Sequence, residues 1–384
     1  MDQTTYREGL EGIVAAHTRL SHVDGKKGEL LIAGFALEEL AQRASYEEVA
    51  YLLWHDDLPD ADSLAKLARQ LSARRALPQA TLDLLRIAAG HKTAPMDALR
   101  MAAGTLDLDS KQEAREQALD IVARLPTIVA AYARLLSGSE PIEANPALGH
   151  AANYLYMLHG QAPSPAQTRA LETYLNTVVD HGLNASTFTA RVIVSTGSDL
   201  VSAIVGAIGA LKGPLHGGAP GPALDMVFEI ATADNAQRTL RAKLERGERL
   251  MGFGHRVYKV RDPRAEVLSA AAAKLYEQNE QIAGDRSLYE LARFVEEQAV
   301  ALLAEFKPGR NLQTNVEFYT ALLLHGLGLS SDLFSPTFAI GRTPGWLAHC
   351  FEQQGHGRLI RPSSEYVGER GRRWASIEQR STGR

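Results

Sequence analysis

One cysteine, Cys350, in 384 residues leaves no partner for a disulfide framework. The longest apolar run, Ala203 to Leu211, falls well short of the roughly 20 residues that span a bilayer, so no membrane segment is expected. The first residues, Met1 to His17, lack the cationic and apolar regions of a signal peptide, and the expected location is a reducing cytosol. A formal net charge of -4 offers no general attraction to nucleic acid or to an acidic membrane surface. Any anionic ligand must therefore be met by local cations. The chain also lacks a Walker-type phosphate loop, a Rossmann glycine fingerprint, and paired histidines at zinc-binding spacing. Internal repeats and low-complexity tracts are absent as well.

What remains is an ordinary soluble composition, 45% hydrophobic and 22% charged. The length exceeds what one core comfortably supports, so a large domain plus a smaller one is expected. Helix signals dominate. Ser164 can cap, Pro165 sits at the first helical position and Gln167 can close a capping box, after which Leu171, Leu175, Val178 and Val179 form one apolar stripe. Ser45 to Glu48 opens a helix in the same way, and Ala61 to Leu77 and Arg115 to Leu136 carry helical periodicity. Asp199 to Leu211 is apolar or small on nearly every face, as in a helix buried on all sides whose Gly206, Gly209 and Ala210 admit close neighbours. Strand signals are confined to Ser21 to Gly34, where Asp24 and Gly25 mark a hairpin turn. The class is all-α with a short N-terminal β-hairpin. Cys350 reads as a small core residue of a helix over Trp346 to Gln353, and the arginine-rich end from Arg370 to Arg384 as a solvated, frayed tail.

Candidate chemistry concentrates in the second half. Three segments set histidine among glycines and small residues: Asp180 to Asn184 with His181, Gly213 to Gly218 with His216, and Gly252 to His255. Glycine permits tight turns and close ligand approach, and an imidazole there presents a hydrogen-bond donor that is readily tuned between neutral and charged. For each histidine alone, the plain alternative is a loop residue bonded to backbone. The stretch from His255 to Arg264 adds Arg256, Lys259, Arg261 and Arg264, and Arg342 and Arg361 follow. Arginine forks suit carboxylates, and lysine meets phosphate as a point charge. Glu317 has two readings. With Thr314 it makes the Thr-x-x-Glu spacing of a capping box; a carboxylate at a helix N-terminus is also kept ionised by the dipole and can serve as a general base.

Taken together, the pattern resembles the citrate synthase family. Gly252 to Arg264 is similar to that family's signature at every constrained position. Gly213 to Ala219, Asn184 to Phe188, Asn315 to Tyr319 and Arg361-Pro362 occur in the family's order, and Val23 to Gly28 resembles its N-terminal segment. The likeness implies an all-helical two-domain fold: a large domain over 1–217 and 326–384, and a smaller mobile domain over 218–325 that closes on substrate. It implies condensation of acetyl-CoA with oxaloacetate to citrate. His216 would hydrogen-bond the thioester carbonyl, His255 would polarise the ketone of oxaloacetate, and Glu317 would abstract the methyl proton. His181, Arg264, Arg342 and Arg361 match the family's oxaloacetate and citrate ligands, with Arg361 supplied by the partner of a two-fold homodimer. Lys259 matches a CoA-phosphate contact, and Arg256, Lys307 and Arg310 are further candidates for that role. The resemblance calls for no metal and no cofactor beyond the acyl-CoA substrate, and for no nucleic-acid or membrane partner.

Two positions depart from the family pattern. Glutamate stands at 317 where aspartate is usual, and its extra methylene moves the carboxylate by roughly an ångström unless the backbone compensates. Gly182 follows His181 where glutamate is common, so a charge partner for that histidine must come from elsewhere. The resemblance leaves 2-methylcitrate synthesis from propionyl-CoA, cleavage of citryl-CoA, and a catalytically silent binding or regulatory protein as alternatives.

Overall fold

A computed structural model describes residues 6–107, 113–216, 220–255, 257–258, 260–278 and 286–380. The N-terminal signals fold as expected, with one addition. Strands β1 (Ser21–Asp24) and β2 (Glu29–Ile32) pair antiparallel around the Asp24-Gly25 turn, and a two-residue β3 (Phe35–Ala36) extends the sheet. Everything else regular is helical.

Among the described residues sixteen α-helices follow. The first half holds α1 (Leu37–Arg43), α2 (Tyr46–His55), α3 (Ala61–Ser72), α4 (Gln79–Gly90), α5 (Pro95–Gly104), α6 (Ala114–Leu136), α7 (His150–His159) and α8 (Pro165–Val178). The second half holds α9 (Ala185–Val194), α10 (Leu200–Leu211), α11 (Pro220–Ile230), α12 (Ala233–Glu245), α13 (Pro263–Gln278), α14 (Arg286–Phe306), α15 (Val316–Gly326) and α16 (Phe334–His356). Both expected capping boxes form, Ser45 with Glu48 on α2 and Ser164 with Gln167 on α8. Each satisfies two backbone donors that the helix start would otherwise leave unpaired.

The long α16 runs through the core and packs against α2, α5, α6, α8, α9 and α10. Pro344 lies inside it and cannot donate to the carbonyl of Ile340 one turn back. The hydroxyl of Tyr46 donates to that carbonyl instead, at 2.9 Å, so the proline leaves no orphaned acceptor. Small residues let α16 approach its neighbours. A Cβ on Gly345 would stand 2.1 Å from the carbonyl oxygen of Val179, and one on Gly341 would stand 2.6 Å from a methyl of Val178. Gly341, Gly345 and His349 therefore line one stripe of α16, four residues apart, against the end of α8.

Helix α13 packs on α8 and α1 and also on α15, while α12 pairs with α14 and α11 with α15. The sequence expectation for α10 needs correcting. Its Leu200, Val201, Ala203, Ile204, Ala207, Ile208 and Leu211 are buried, but Ser202 and Gly209 are exposed and Val205 and Gly206 only half covered. A helix apolar on all sides thus keeps one face open within this single chain. Cys350 is fully buried, as a core residue should be, and burial pushes its thiol up to about 12. From Gly357 to Arg380 the chain is almost wholly exposed and irregular apart from a single 3-10 turn at Ile377–Gln379. No helix among the described residues is long and apolar enough to cross a membrane.

Candidate active site

The three histidine turns and the start of α15 are held in place largely by backbone bonds. Gly252 and Gly254 adopt positive φ of 87° and 82°, a backbone region in which glycine alone is unstrained. That twist lets Phe253 bridge to Thr314, Gly254 N–H donate to the Gln313 carbonyl at 2.7 Å, and Asn315 N–H donate to the Gly252 carbonyl at 3.0 Å. The side-chain amide of Asn315 donates to the Gly254 carbonyl at 2.9 Å. His255 and the N-terminus of α15 are in this way knitted to one another.

The same contacts correct the capping-box reading of Thr314 and Glu317. Asn315 is the N-cap, and its side-chain oxygen accepts from Glu317 N–H at 3.0 Å. Thr314 instead donates its hydroxyl to the buried Glu296 at 2.7 Å. Buried glutamate outcompetes the local cap because it needs donors, and it also receives the hydroxyl of Tyr319 and the guanidinium of Arg261. The Glu317 carboxyl is therefore not engaged in a reciprocal capping bond. Burial raises its pKa to about 6, against the opposing pull of Arg264.

His255 is oriented by the turn it occupies. The backbone N–H groups of Val257 and Tyr258 both point at Nδ1, at 3.0 and 3.1 Å. Backbone amides only donate, so Nδ1 accepts. Nε2 lies 3.2 Å from Nη2 of Arg264. A guanidinium likewise only donates, so both ring nitrogens of His255 face donors. Arg264 is itself fixed by a two-point bond to buried Asp262, at 3.0 and 2.8 Å. His181 faces the same place. Its Nε2 is 3.1 Å from the Tyr258 hydroxyl, and its ring centroid is 6.0 Å from that of His255. Burial, then the charges of Arg264 and Arg342, hold His181 well below its ordinary value, so it is neutral near pH 7.

His216 is oriented from α9. Ser186 N–H points at its Nε2 at 3.3 Å and the Ser186 hydroxyl lies 2.7 Å away. By the same reasoning Nε2 accepts and the proton sits on Nδ1. Ser186 in turn receives the indole N–H of Trp346 at 3.1 Å, and its hydroxyl also lies 2.8 Å from the side-chain oxygen of Asn184, the N-cap of α9. Burial, reinforced by the charge of Arg342, lowers His216 to about 4. Arg342 is 1% exposed; its Nε donates to the Val178 carbonyl and its guanidinium carbon lies 4.6 Å from the Phe338 ring centre. Its field thus reaches both His181 and His216.

Several candidates fall elsewhere. Arg361 is exposed in the segment that follows α16. Lys307 and Arg310 are exposed on the loop between α14 and α15. Arg256 and Lys259 lie outside the described residues. An open cavity of about 600 Å³ between α11, α12 and α14, walled by Val227, Phe228, Leu291 and Phe294, shares no lining residue with the histidine cluster. Residues not singled out from sequence also enter the site: Tyr258 and Asp262 bridge its histidine and arginine, and Ser186 orients His216. Tyr258 and Asp262 stood within the signature stretch, whereas Ser186 carried no local signal beyond following the Asn184 cap.

The helical frame thus sets His181, His255 and Arg264 side by side, with buried Arg342 acting on both His181 and His216 and Arg264 acting on the carboxyl of Glu317, a combination of cations and titratable groups suited to a small polycarboxylate and to acid–base chemistry. The family model described as "Citrate synthase, C-terminal domain" matches residues 9–363. The chain is 40% identical to the citrate synthase of Haloferax volcanii, over 97% of this chain and 99% of that one. It is 41% identical to citrate synthase 2 of Bacillus subtilis, over 98% and 100%. A 2-methylcitrate synthase of Shewanella oneidensis is 37% identical over 97% of both chains. Among solved structures, the citrate synthase of Thermoplasma acidophilum, in a ternary complex with carboxymethyl coenzyme A and oxaloacetate, superposes with a TM-score of 0.87 at 29% identity, covering 97% of this chain and 98% of that one. The chain belongs to the citrate synthase family and is a transferase.

Proposed function

We propose that this chain condenses acetyl-CoA with oxaloacetate and water to give citrate and free CoA. The observation that carries the proposal is a pair of imidazoles held by fixed donors: neutral His216, whose Nε2 faces the Ser186 amide, and His255, whose Nδ1 is met by two backbone amides and whose Nε2 lies beside Arg264. Glu317 takes a proton from the methyl carbon of the thioester. Nδ1–H of His216 donates to the thioester oxygen as negative charge builds there, and the resulting enolate carbon attacks the keto carbon of oxaloacetate. Nε2–H of His255 donates to the ketone oxygen and delivers the proton that makes it a hydroxyl. Water then cleaves the thioester and CoA leaves as the thiol. Fixed donors aimed at developing oxyanions are the efficient way to lower such barriers. The steps so written need no metal or prosthetic group.

His181, Arg264 and Arg342 would hold the carboxylates of oxaloacetate, and Arg361 would join them from the partner subunit of a homodimer. The open face of α10 and the exposed Val367 and Trp374 of the C-terminal segment support a subunit contact. Arg256, Lys259, Lys307 and Arg310 would meet CoA phosphates, and the segment 218–325 would close over the site to exclude water. The enzyme would act in the cytoplasm, feeding the tricarboxylic acid cycle. A silent binding role loses its motive, since Asn315 and not Glu317 completes the helix cap. The likeness to the Shewanella enzyme favours propionyl-CoA as a second substrate.

The test is release of free CoA thiol from oxaloacetate and each acyl-CoA in turn, against His255→Ala. Activity with acetyl-CoA that the substitution abolishes upholds the proposal; wild-type protein no faster than the variant sinks it, and a preference for propionyl-CoA moves the assignment to 2-methylcitrate synthesis.

A further inference from the structure

Asp180 immediately precedes His181, and its side chain is completely buried. A buried carboxylate needs donors, and two elements far away in sequence supply them. Ser21 at the start of β1 donates its hydroxyl at 2.5 Å, and His349 of α16 presents Nε2 to both carboxylate oxygens at 3.1 and 3.3 Å. Ser21 also accepts from Gly182 N–H at 2.8 Å, so the carboxylate and its serine grip the backbone on both sides of His181. The Nδ1 of His349 faces Nη1 of Arg191 at 3.0 Å, which leaves the ring proton on the nitrogen that meets Asp180. Arg191 is closed off by Glu352 at 2.9 Å. The interior thus holds an alternating series: Glu352, Arg191, His349, Asp180 and then Arg342, whose strongest attractive charge is that of Asp180.

The backbone explains how α16 reaches so far. Gly341 and Gly345 let the helix lie directly on Val178 to Asp180, and His349 comes one turn later on the same stripe. Arg342, beside Gly341, bonds the carbonyl of Val178 in that same contact.

We propose that Asp180, oriented by His349, is the positioning residue of the oxaloacetate pocket: it fixes the backbone that carries His181 and balances the buried charge of Arg342. The inference rests on the reading of His181 and Arg342 as oxaloacetate ligands. Asp180 and His349 touch no substrate themselves. A merely structural role would lower stability and leave substrate affinities alone; a positioning role weakens oxaloacetate selectively.

The test uses the full-length protein with oxaloacetate as the probe, its affinity read by isothermal titration calorimetry and the acetyl-CoA KM by thiol release at saturating oxaloacetate. His349→Leu removes the donor to Asp180 and should weaken oxaloacetate about tenfold to a hundredfold, the range set by losing a hydrogen bond to a charged group. The acetyl-CoA KM should stay within about twofold. His349→Gln keeps an N–H at similar reach and should recover most of the loss. Ser21→Ala removes the other donor from a half-buried surface position and should weaken oxaloacetate about threefold to tenfold even where the leucine variant fails to fold. Unchanged oxaloacetate affinity in Ser21→Ala or in a folded His349→Leu, equal loss in the leucine and glutamine variants, or equal loss for both substrates would overturn the inference. Wild-type protein that turns over substrate beside indifferent variants defeats this inference alone. Wild-type protein that binds no oxaloacetate defeats the proposed function and this inference with it.

Discussion

Replacing Glu317 by glutamine should make the protein slightly more stable and almost inactive. Burial raises the carboxyl from its ordinary 4.5 to about 6. The folded state therefore binds this proton more tightly than the unfolded chain does. Its ionised form is disfavoured in the fold by about 2 kcal/mol on that difference, and the partial solvent access of the side chain cuts this to about 1 kcal/mol. The sign fixes the pH window. Below 4.5 both states carry the proton and nothing is lost; stability falls as pH rises through 6, and the full deficit persists above it. Glutamine is neutral throughout, so the gain should be absent at pH 4 and complete by pH 7.5, as a rise in Tm of about 1–2 °C for a chain of this size. Turnover should move the other way. Losing a general base costs about a hundredfold to ten-thousandfold, and wild-type kcat/KM should climb with pH to a plateau with its midpoint near pH 6. Differential scanning fluorimetry across pH, paired with thiol release, reads both. A less stable glutamine variant at pH 7.5 would show that the Glu317 carboxylate is not destabilised by burial, and a wild-type rate independent of pH between 5 and 7 would show that it is not the base.

Two glycines of α10 and α16 should differ sharply in their tolerance of alanine. Gly345→Ala sets a methyl 2.1 Å from the Val179 carbonyl oxygen, a backbone atom that cannot yield, and should cost about 1–3 kcal/mol with a matching fall in Tm. Gly206→Ala meets the terminal methyl of Ile193 at 2.2 Å, which a rotamer change relieves, so its Tm should fall by less than half as much. Glu296→Gln, which removes the charge buried against Arg261 and weakens the bonds from Thr314 and Tyr319, should destabilise by about 2–4 kcal/mol in denaturant unfolding. Cys350, buried and with its thiol pushed up to about 12, should resist alkylation by iodoacetamide in the native protein and react once denatured, with no loss of native activity on treatment.

The parts of this fold that sequence reveals are those coded by neighbours. Ser45 with Glu48 and Ser164 with Gln167 cap their helices because the partners are three residues apart, and Asp24-Gly25 turns the hairpin for the same local reason. His255 and Arg264 are nine residues apart in the chain, and one compact stretch displays both. Thr314 shows the limit of such logic. Its spacing to Glu317 is right for a cap, yet it is drawn off by buried Glu296, eighteen residues away, and Asn315 takes its place. The bond between Asp180 and His349 spans 169 residues and left no pattern to read. The open face of α10 was equally hidden, since an apolar sequence does not say which molecule covers it.

The proposed condensation makes a new carbon–carbon bond between the thioester methyl and the keto carbon. Acetyl-CoA labelled with carbon-13 at the methyl group, incubated with oxaloacetate and wild-type protein, should give citrate labelled in a methylene carbon by NMR, with no such product from His255→Ala. Label recovered only as acetate, or left in unreacted acetyl-CoA, would contradict it.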